Sequence, residues 1–187
     1  MPILAKEQDV HPVDLFDRFL DSDSDEHRWW ALYTLSRREK ELMRRLHAMD
    51  VAFYGPLIRH RYRSPAGRVR TSYVPLFPNY VFVCGNEFHR YEAVTTGCVC
   101  RDIEVGDGIQ LASDLQRISR LIETGQPLTP ESRLKQGRPV RVLSGPFAGF
   151  EGTVVRRENQ TRLLVAVNFM EQGASVLLED CQLEPLD

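Results

Sequence analysis

Eight residues, Gly145-Pro146-Phe147-Ala148-Gly149-Phe150-Glu151-Gly152, separate the alternating Val140-Arg141-Val142 from the β-branched Thr153-Val154-Val155. The flanks read as strands and the centre as a tight connection. Pro146 presets φ for a turn, while Gly149 and Gly152 supply positive φ or the close backbone approach needed where a small barrel bends sharply. Residues with side chains could not fill those roles cheaply.

The pattern continues downstream. Leu163, Val165, Val167 and Phe169 alternate with Leu164, Ala166 and Asn168, Glu171-Gln172-Gly173 offers a turn, and Ser175 to Leu178 makes a further strand. Four or five short strands within about 50 residues predict a small all-β, SH3-like barrel over 137–187. Just upstream, Thr124-Gly125-Gln126-Pro127-Leu128-Thr129-Pro130-Glu131-Ser132 has the proline and polar content of a linker, assigned to 124–136.

A chain of 187 residues leaves room for a second, larger domain. Trp29-Trp30-Ala31-Leu32-Tyr33-Thr34 is aromatic and apolar enough for a buried strand. Ser36 and Glu39 form a Ser-x-x-Glu capping box for the next helix, in which Leu42, Leu46 and Met49 line one face and Arg37, Arg38, Lys40, Arg44 and Arg45 lie mostly on others. Ile58, His60 and Tyr62 then alternate with Arg59, Arg61 and Arg63, and Ser64-Pro65-Ala66-Gly67 turns the chain into Val69 to Val74, which predicts a β-hairpin. Tyr80 to Val83 is a further strand, Glu87 to Val94 a short helix, Val99 to Val105 a strand, and Ser113 caps a last helix carrying Leu115, Ile118, Leu121 and Ile122. The order βαβββαβα predicts an α+β domain over 27–123, an antiparallel sheet with flanking helices.

Charge is unevenly distributed. Residues 1–26 carry 2 basic and 8 acidic groups, whereas 27–101 carry 13 basic and 5 acidic. The acidic stretch is expected to be a flexible N-terminal extension, with Leu15, Phe16, Phe19 and Leu20 at helical spacing inside it. The basic stretch gives one region an anion-attracting field.

Other classes are excluded by what the chain lacks. Cys84, Cys98, Cys100 and Cys181 form no CxxC pair, so no metal or other cofactor is expected. No 18-residue apolar run or signal segment is present, which predicts no membrane contact and a cytoplasmic monomer with reduced thiols. The five histidines have no carboxylate pair, nucleophile elbow or phosphate loop around them, so no catalytic residues are assigned and an enzyme is not expected.

The pattern Gly-Arg-Pro-Val-Arg-Val-x-x-Gly-Pro-Phe-x-Gly-x-x-Gly-x-Val at 137–154 resembles the KOW motif. Together with Trp29-Trp30-Ala31-Leu32-Tyr33 and the nonapeptide Pro75-Leu76-Phe77-Pro78-Asn79-Tyr80-Val81-Phe82-Val83, it resembles the NusG family, which joins an N-terminal NGN domain to a C-terminal KOW domain. The likeness covers roughly residues 28–186, and the wording of the nonapeptide is closest to the specialised RfaH-type paralogues. The resemblance implies a non-catalytic transcription elongation and antitermination factor that rides on RNA polymerase and suppresses pausing. It implies that an apolar pocket including Tyr33, Phe77, Pro78, Tyr80 and Phe82 docks on the clamp helices of the largest polymerase subunit. Compact aromatics are low-entropy anchors for a partner helix, although the same alternation suits residues that fill a core.

The RfaH-type members touch the gate loop of the second large subunit through a His-Thr-Thr segment, matched here by His89-Arg90-Tyr91, of which only the histidine is kept. They read the non-template DNA strand from the start of the first helix, where Arg38 and Arg45 match and Arg37 lies beside them; arginine there serves either phosphate affinity or guanine readout. Phe169 and Met170 match the apolar pair by which the family's KOW domain contacts Rho or a small-subunit ribosomal protein. The alternative, a KOW-type ribosome-associated RNA-binding protein, accounts for the KOW motif and the arginine hairpin but leaves Phe77 to Phe82 without a role.

Overall fold

The computed structural model describes residues 5–19, 27–65, 67–133, 137–157, 160–179 and 181–186. Two compact units are present, residues 1–112 and 113–187, with the division falling inside a helix, upstream of the expected linker. No helix among the described residues is long and apolar enough to cross a membrane.

The first unit contains β1 (Val10–His11), α1 (Leu15–Phe19), β2 (Arg28–Thr34), α2 (Glu39–Ala48), β3 (Ala52–Tyr54), β4 (Leu57–Arg63), β5 (Val69–Pro75), β6 (Tyr80–Gly85), α3 (Glu87–Thr95), β7 (Val99–Glu104) and the start of α4 (Gly108–Glu123). Among the described residues, five strands form an antiparallel sheet in the order β1-β3-β6-β2-β7, while β4 and β5 pair only with each other. The period of two sorts the side chains by face. Trp30 and Leu32 on β2 and Val81 and Val83 on β6 enter a core with Leu42, Met43 and Leu46 of α2 and Ala93 of α3. The intervening Trp29, Ala31 and Phe82 are also buried, so both faces of the central strands are covered.

The N-terminal stretch departs from expectation. Rather than forming a flexible extension, residues 5–19 extend the sheet: Val10 and His11 pair with Tyr54 and Phe53 of β3. Leu15 is fully buried, and the Phe16 ring packs edge-on against Tyr54 at 5.1 Å. Polar groups of this stretch find partners in the rest of the unit. Glu7 pairs with Arg44 at 2.6 Å, the Asp9 carboxylate accepts from the Leu57 N–H at 3.1 Å, and His11 Nε2 lies 2.8 Å from Asp50 Oδ1. Residues 20–26, with Leu20 and the acidic run, lie outside the described residues, as does the side chain of Phe19.

Helix starts also differ. Ser36 makes no cap: α2 begins at Glu39, Arg38 occupies the cap position without a side-chain capping hydrogen bond, and the Glu39 carboxylate turns to another strand connection. Helix α4 begins five residues before Ser113, and Asp107 Oδ1 accepts the Gln110 N–H at 2.9 Å to cap it. Ala52–Tyr54 is too short to show alternation and was not anticipated.

The second unit holds the rest of α4 with β8 (Thr129–Glu131), β9 (Arg138–Val142), β10 (Glu151–Arg157), β11 (Gln160–Val167), a 3₁₀ turn at Asn168–Met170, β12 (Gln172–Leu177) and β13 (Leu183–Pro185). All six strands join one antiparallel sheet, ordered β13-β9-β10-β11-β12-β8. Gly149 takes φ of +86°, and a Cβ at Gly152 would lie 2.5 Å from the Leu164 carbonyl oxygen, so the two glycines answer the two needs read from the sequence. Thr129–Glu131, assigned to the linker, is instead the edge strand beside β12. Buried polar bonds explain it: Ser175 Oγ donates to Glu131 Oε1 at 2.8 Å, and Arg162 donates to Ser175 Oγ and Thr129 Oγ1 at 2.9 and 2.7 Å.

If residues 5–19 are part of the folded unit, Leu15→Ala should destabilise it by about 2–5 kcal/mol, the usual cost of truncating a buried leucine. Urea unfolding followed by tryptophan fluorescence checks this, and a change below about 0.5 kcal/mol is the outcome a solvated extension would give.

Candidate interaction surface

The nonapeptide spans the connection from β5 to β6 and folds tightly. Leu76 and Phe77 are buried, Pro78 is exposed, and the Tyr80 N–H closes onto the Phe77 carbonyl at 3.1 Å. Asn79 sits at φ +66°, a conformation asparagine tolerates better than most residues. Its N–H donates to Glu39 Oε1 at 2.8 Å, and its carbonyl accepts the Thr34 N–H at 2.8 Å. Glu39 and Thr34 are both buried, so α2 and the end of β2 clamp the turn from two sides.

That clamp sets the aromatic surface. Tyr33 and Tyr80 stand directly opposite across the β2–β6 pair, half-buried, with rings edge to face at 5.3 Å. Arg101 of β7, opposite Tyr33 on the other side, holds its guanidinium 5.9 Å from the Tyr33 ring centre. Phe77 and Phe82 are buried and pack edge to face at 6.3 Å. Of the five pocket residues expected, Pro78, Tyr33 and Tyr80 therefore present surface, whereas Phe77 and Phe82 are part of the core. Exposed tyrosines offer an apolar face and a polar tip, the pairing that favours protein contacts.

The three arginines near the start of α2 differ in circumstance. Arg38 and Arg45 both bind Glu41, Arg45 at 2.7 Å, and Arg45 also donates to the Thr96 carbonyl at 3.0 Å. Arg37, at φ +62°, is exposed with no polar partner among the described residues. Arg38, first, and Arg45 hold the Glu41 carboxyl below the ordinary glutamate range.

On α3, His89 does not project freely. Its N–H donates to Asn86 Oδ1 at 3.1 Å while its Nδ1 accepts the Asn86 N–H at 3.2 Å, a capping box. Arg90 is taken up by Glu87 and Asp102, each at 2.7 Å. Tyr91 is 61% exposed, and Phe88, three residues earlier and not singled out in the sequence, is 63% exposed. Two aromatics at i and i+3, neither on the buried face, are the signal that was there to find.

In the second unit Phe169 is 38% exposed and Met170 is half-buried on the 3₁₀ turn, which ends at Glu171 with φ +52°. The fully buried Asp114 fixes that turn, its Oδ2 accepting from the Asn168 N–H at 2.9 Å and from Nδ2 at 3.2 Å. A carboxylate on the apolar face of α4, beside Leu115 and Ile118, marks the need for such partners. No group of three or more His, Cys, Asp or Glu side chains among the described residues is placed to hold a metal ion.

The family model described as transcription termination factor nusG matches residues 27–130, and that of the KOW motif matches 136–167. The chain is 28% identical over 185 residues to the transcription termination/antitermination protein NusG of Vibrio cholerae, covering 89% of this chain and all of the relative. It is 27% identical over 176 residues to the protein of that name from Pseudomonas aeruginosa, covering 84% and 97% of the two chains.

The Arg38–Glu41–Arg45 bridge makes a prediction about protonation. Because the Glu41 value is depressed, its contribution to the network is present above the ordinary glutamate range and is lost as pH falls through the depressed value. A carboxyl NMR titration should place Glu41 below ordinary glutamate, and Arg38→Ala should move the midpoint upward; no movement would mean the bridge does not persist in solution.

Proposed function

We propose that this chain, which belongs to the NusG family, is a transcription termination/antitermination factor that works on elongating RNA polymerase. The observation that carries the reading is the Tyr33–Tyr80 pair, two half-buried rings opposed across β2 and β6 beside the exposed Pro78. A partner helix laid across the rings gains aromatic area at low conformational cost. We assign this surface to the clamp helices of the largest subunit, with Phe77 and Phe82 supporting the rings from the core. A factor seated there would suppress pausing by bracing the clamp.

Three further contacts belong to the same reading. Arg37 offers its charge to the non-template strand directly, while Arg38 and Arg45 reach it by exchanging Glu41 for phosphate. On α3, Tyr91 is the accessible member of His89-Arg90-Tyr91 for the gate loop, since His89 and Arg90 are engaged. The KOW unit recruits Rho or a small-subunit ribosomal protein through Phe169 and Met170. The protein acts as a cytoplasmic monomer without catalysis or cofactor.

Replacing Tyr33 and Tyr80 together with alanine should weaken binding to core polymerase at least tenfold, the loss expected from removing two central aromatics. Binding is measured by co-sedimentation with purified core enzyme, with ribosomes as a second target and circular dichroism reporting the fold. Unchanged polymerase affinity in a folded variant refutes the docking surface. Binding to ribosomes in place of polymerase points to the ribosomal alternative.

A further inference from the structure

We infer that the β4–β5 hairpin is a binding surface for single-stranded nucleic acid. The two strands form a sheet of their own, and beyond Ile58 the β4 side chains are exposed. No acidic residue occurs from Val51 to Asn86, yet Arg59, Arg61, Arg63, Arg68 and Arg70 all lie in the hairpin. Each is exposed, and none has an ion pair or hydrogen bond to another described side chain. This sets them apart from Arg38 and Arg45, whose charge is met by Glu41.

Their arrangement has a direction. Arg59, Arg61 and Arg63 fall on one face of β4 at intervals of about 6.7 Å, a spacing suited to successive phosphates of an extended strand. Like charges so close repel one another, and a polyanion relieves that repulsion while releasing counterions. The opposite face supplies the second requirement. His60 and Tyr62 are both exposed, with rings stacked at 6.0 Å and only 20° apart, and Tyr62 stands opposite Arg70. Such rings accept a base in the stack, and bases are free to stack only where they are not already paired in a duplex. Arginines along one face with aromatics on the other therefore favour a single strand over a duplex or an acidic protein. The inference rests on the hairpin alone and stands whether or not the tyrosine surface binds polymerase.

The test uses the full chain and fluorescein-labelled 20-nucleotide single-stranded DNA, single-stranded RNA of the same sequence, and the DNA duplex, read by fluorescence anisotropy from 50 to 300 mM salt. R59A/R61A/R63A should weaken single-strand binding at least tenfold and reduce the logarithmic salt slope by about two, at roughly 0.7 for each phosphate no longer neutralised. H60A/Y62A should weaken it about tenfold with the salt slope unchanged, because stacking displaces no counterion. R59K/R61K/R63K, which keeps the charge, should retain the slope and guards against a folding defect, as does the circular dichroism spectrum of each variant. Preference between the DNA and RNA arms identifies the strand recognised. Unchanged affinity and slope in folded R59A/R61A/R63A, or tighter binding of the duplex than of either single strand, overturns the inference.

Discussion

The pairing of β2 with β6 is the constraint from which the rest of the first unit follows. β2 is hydrogen-bonded on both sides, to β6 and β7, and both faces of the β2–β6 pair are covered. A slip of one residue would exchange the faces, turning Trp30, Leu32, Val81 and Val83 away from α2. The same slip would separate Tyr33 from Tyr80, so the register that buries the core also assembles the aromatic surface. At the end of β2 its ladder with β7 is irregular, with a register shift between Tyr33 and Thr34, while on the β6 side the Asn79 carbonyl accepts the Thr34 N–H. Glu39 completes the arrangement from the helix side. A buried carboxylate accepting a backbone N–H is costly to leave unmatched, which is why the turn is held in one conformation.

The second unit solves a different problem, that of a sheet too small to define its own edges by hydrophobic burial. Its specificity comes from polar groups with fixed partners. Ser175 is buried between Glu131 and Arg162, and Arg162 reaches on to Thr129, so β8 is chosen as the neighbour of β12 by hydrogen bonds as much as by apolar contact. Arg157 approaches the same Glu131 at 3.3 Å and offsets its charge. Asp114 plays the corresponding part for the turn bearing Phe169. Fully satisfied polar networks of this kind select one packing among several that apolar patterning alone would permit.

Much of this was legible in the chain. Strands rich in β-branched and aromatic or aliphatic residues, such as β6 and β11, and the glycine turn before β10 declare themselves because local chemistry and final structure agree. The order of elements from β4 to α4 and the presence of two units follow from the same signals. The parts that were hidden depend on distant partners. Residues 10–16 read as solvated because they lie in a stretch, 1–26, whose 8 acidic groups outnumber its 2 basic ones, and only the pairing with β3 and the contacts of Glu7 with Arg44 and of His11 with Asp50 make the segment structural. Glu39 had the spacing of a capping box with Ser36, yet its carboxylate is drawn to Asn79, forty residues away. Thr129-Pro130-Glu131 looked like linker because proline and threonine are frequent in linkers, and its pairing is set by residues beyond position 160. At the aromatic surface the residue types were evident, but which of them face outward depended on the β2–β6 register.

Ten of the 13 basic residues in 27–101 fall into two populations with different consequences. Arg28, Arg38, Arg44, Arg45 and Arg90 lie against Glu104, Glu41, Glu7, Glu87 or Asp102, so their charges close on themselves within the fold. Such pairs contribute orientation and little net field. The arginines of β4 and β5 have no such neighbours, and their separations of about 6.7 Å along a strand are shorter than the roughly 8 Å screening length at physiological ionic strength. Their fields therefore add, while those of the paired arginines cancel within a few ångströms. Net charge counted along the sequence overstates α2 as an anion-binding element and understates the hairpin. A polyanion approaching the chain would be drawn first to a ribbon with this summed field, whereas the paired arginines of α2 would meet it only after their own carboxylate had been displaced.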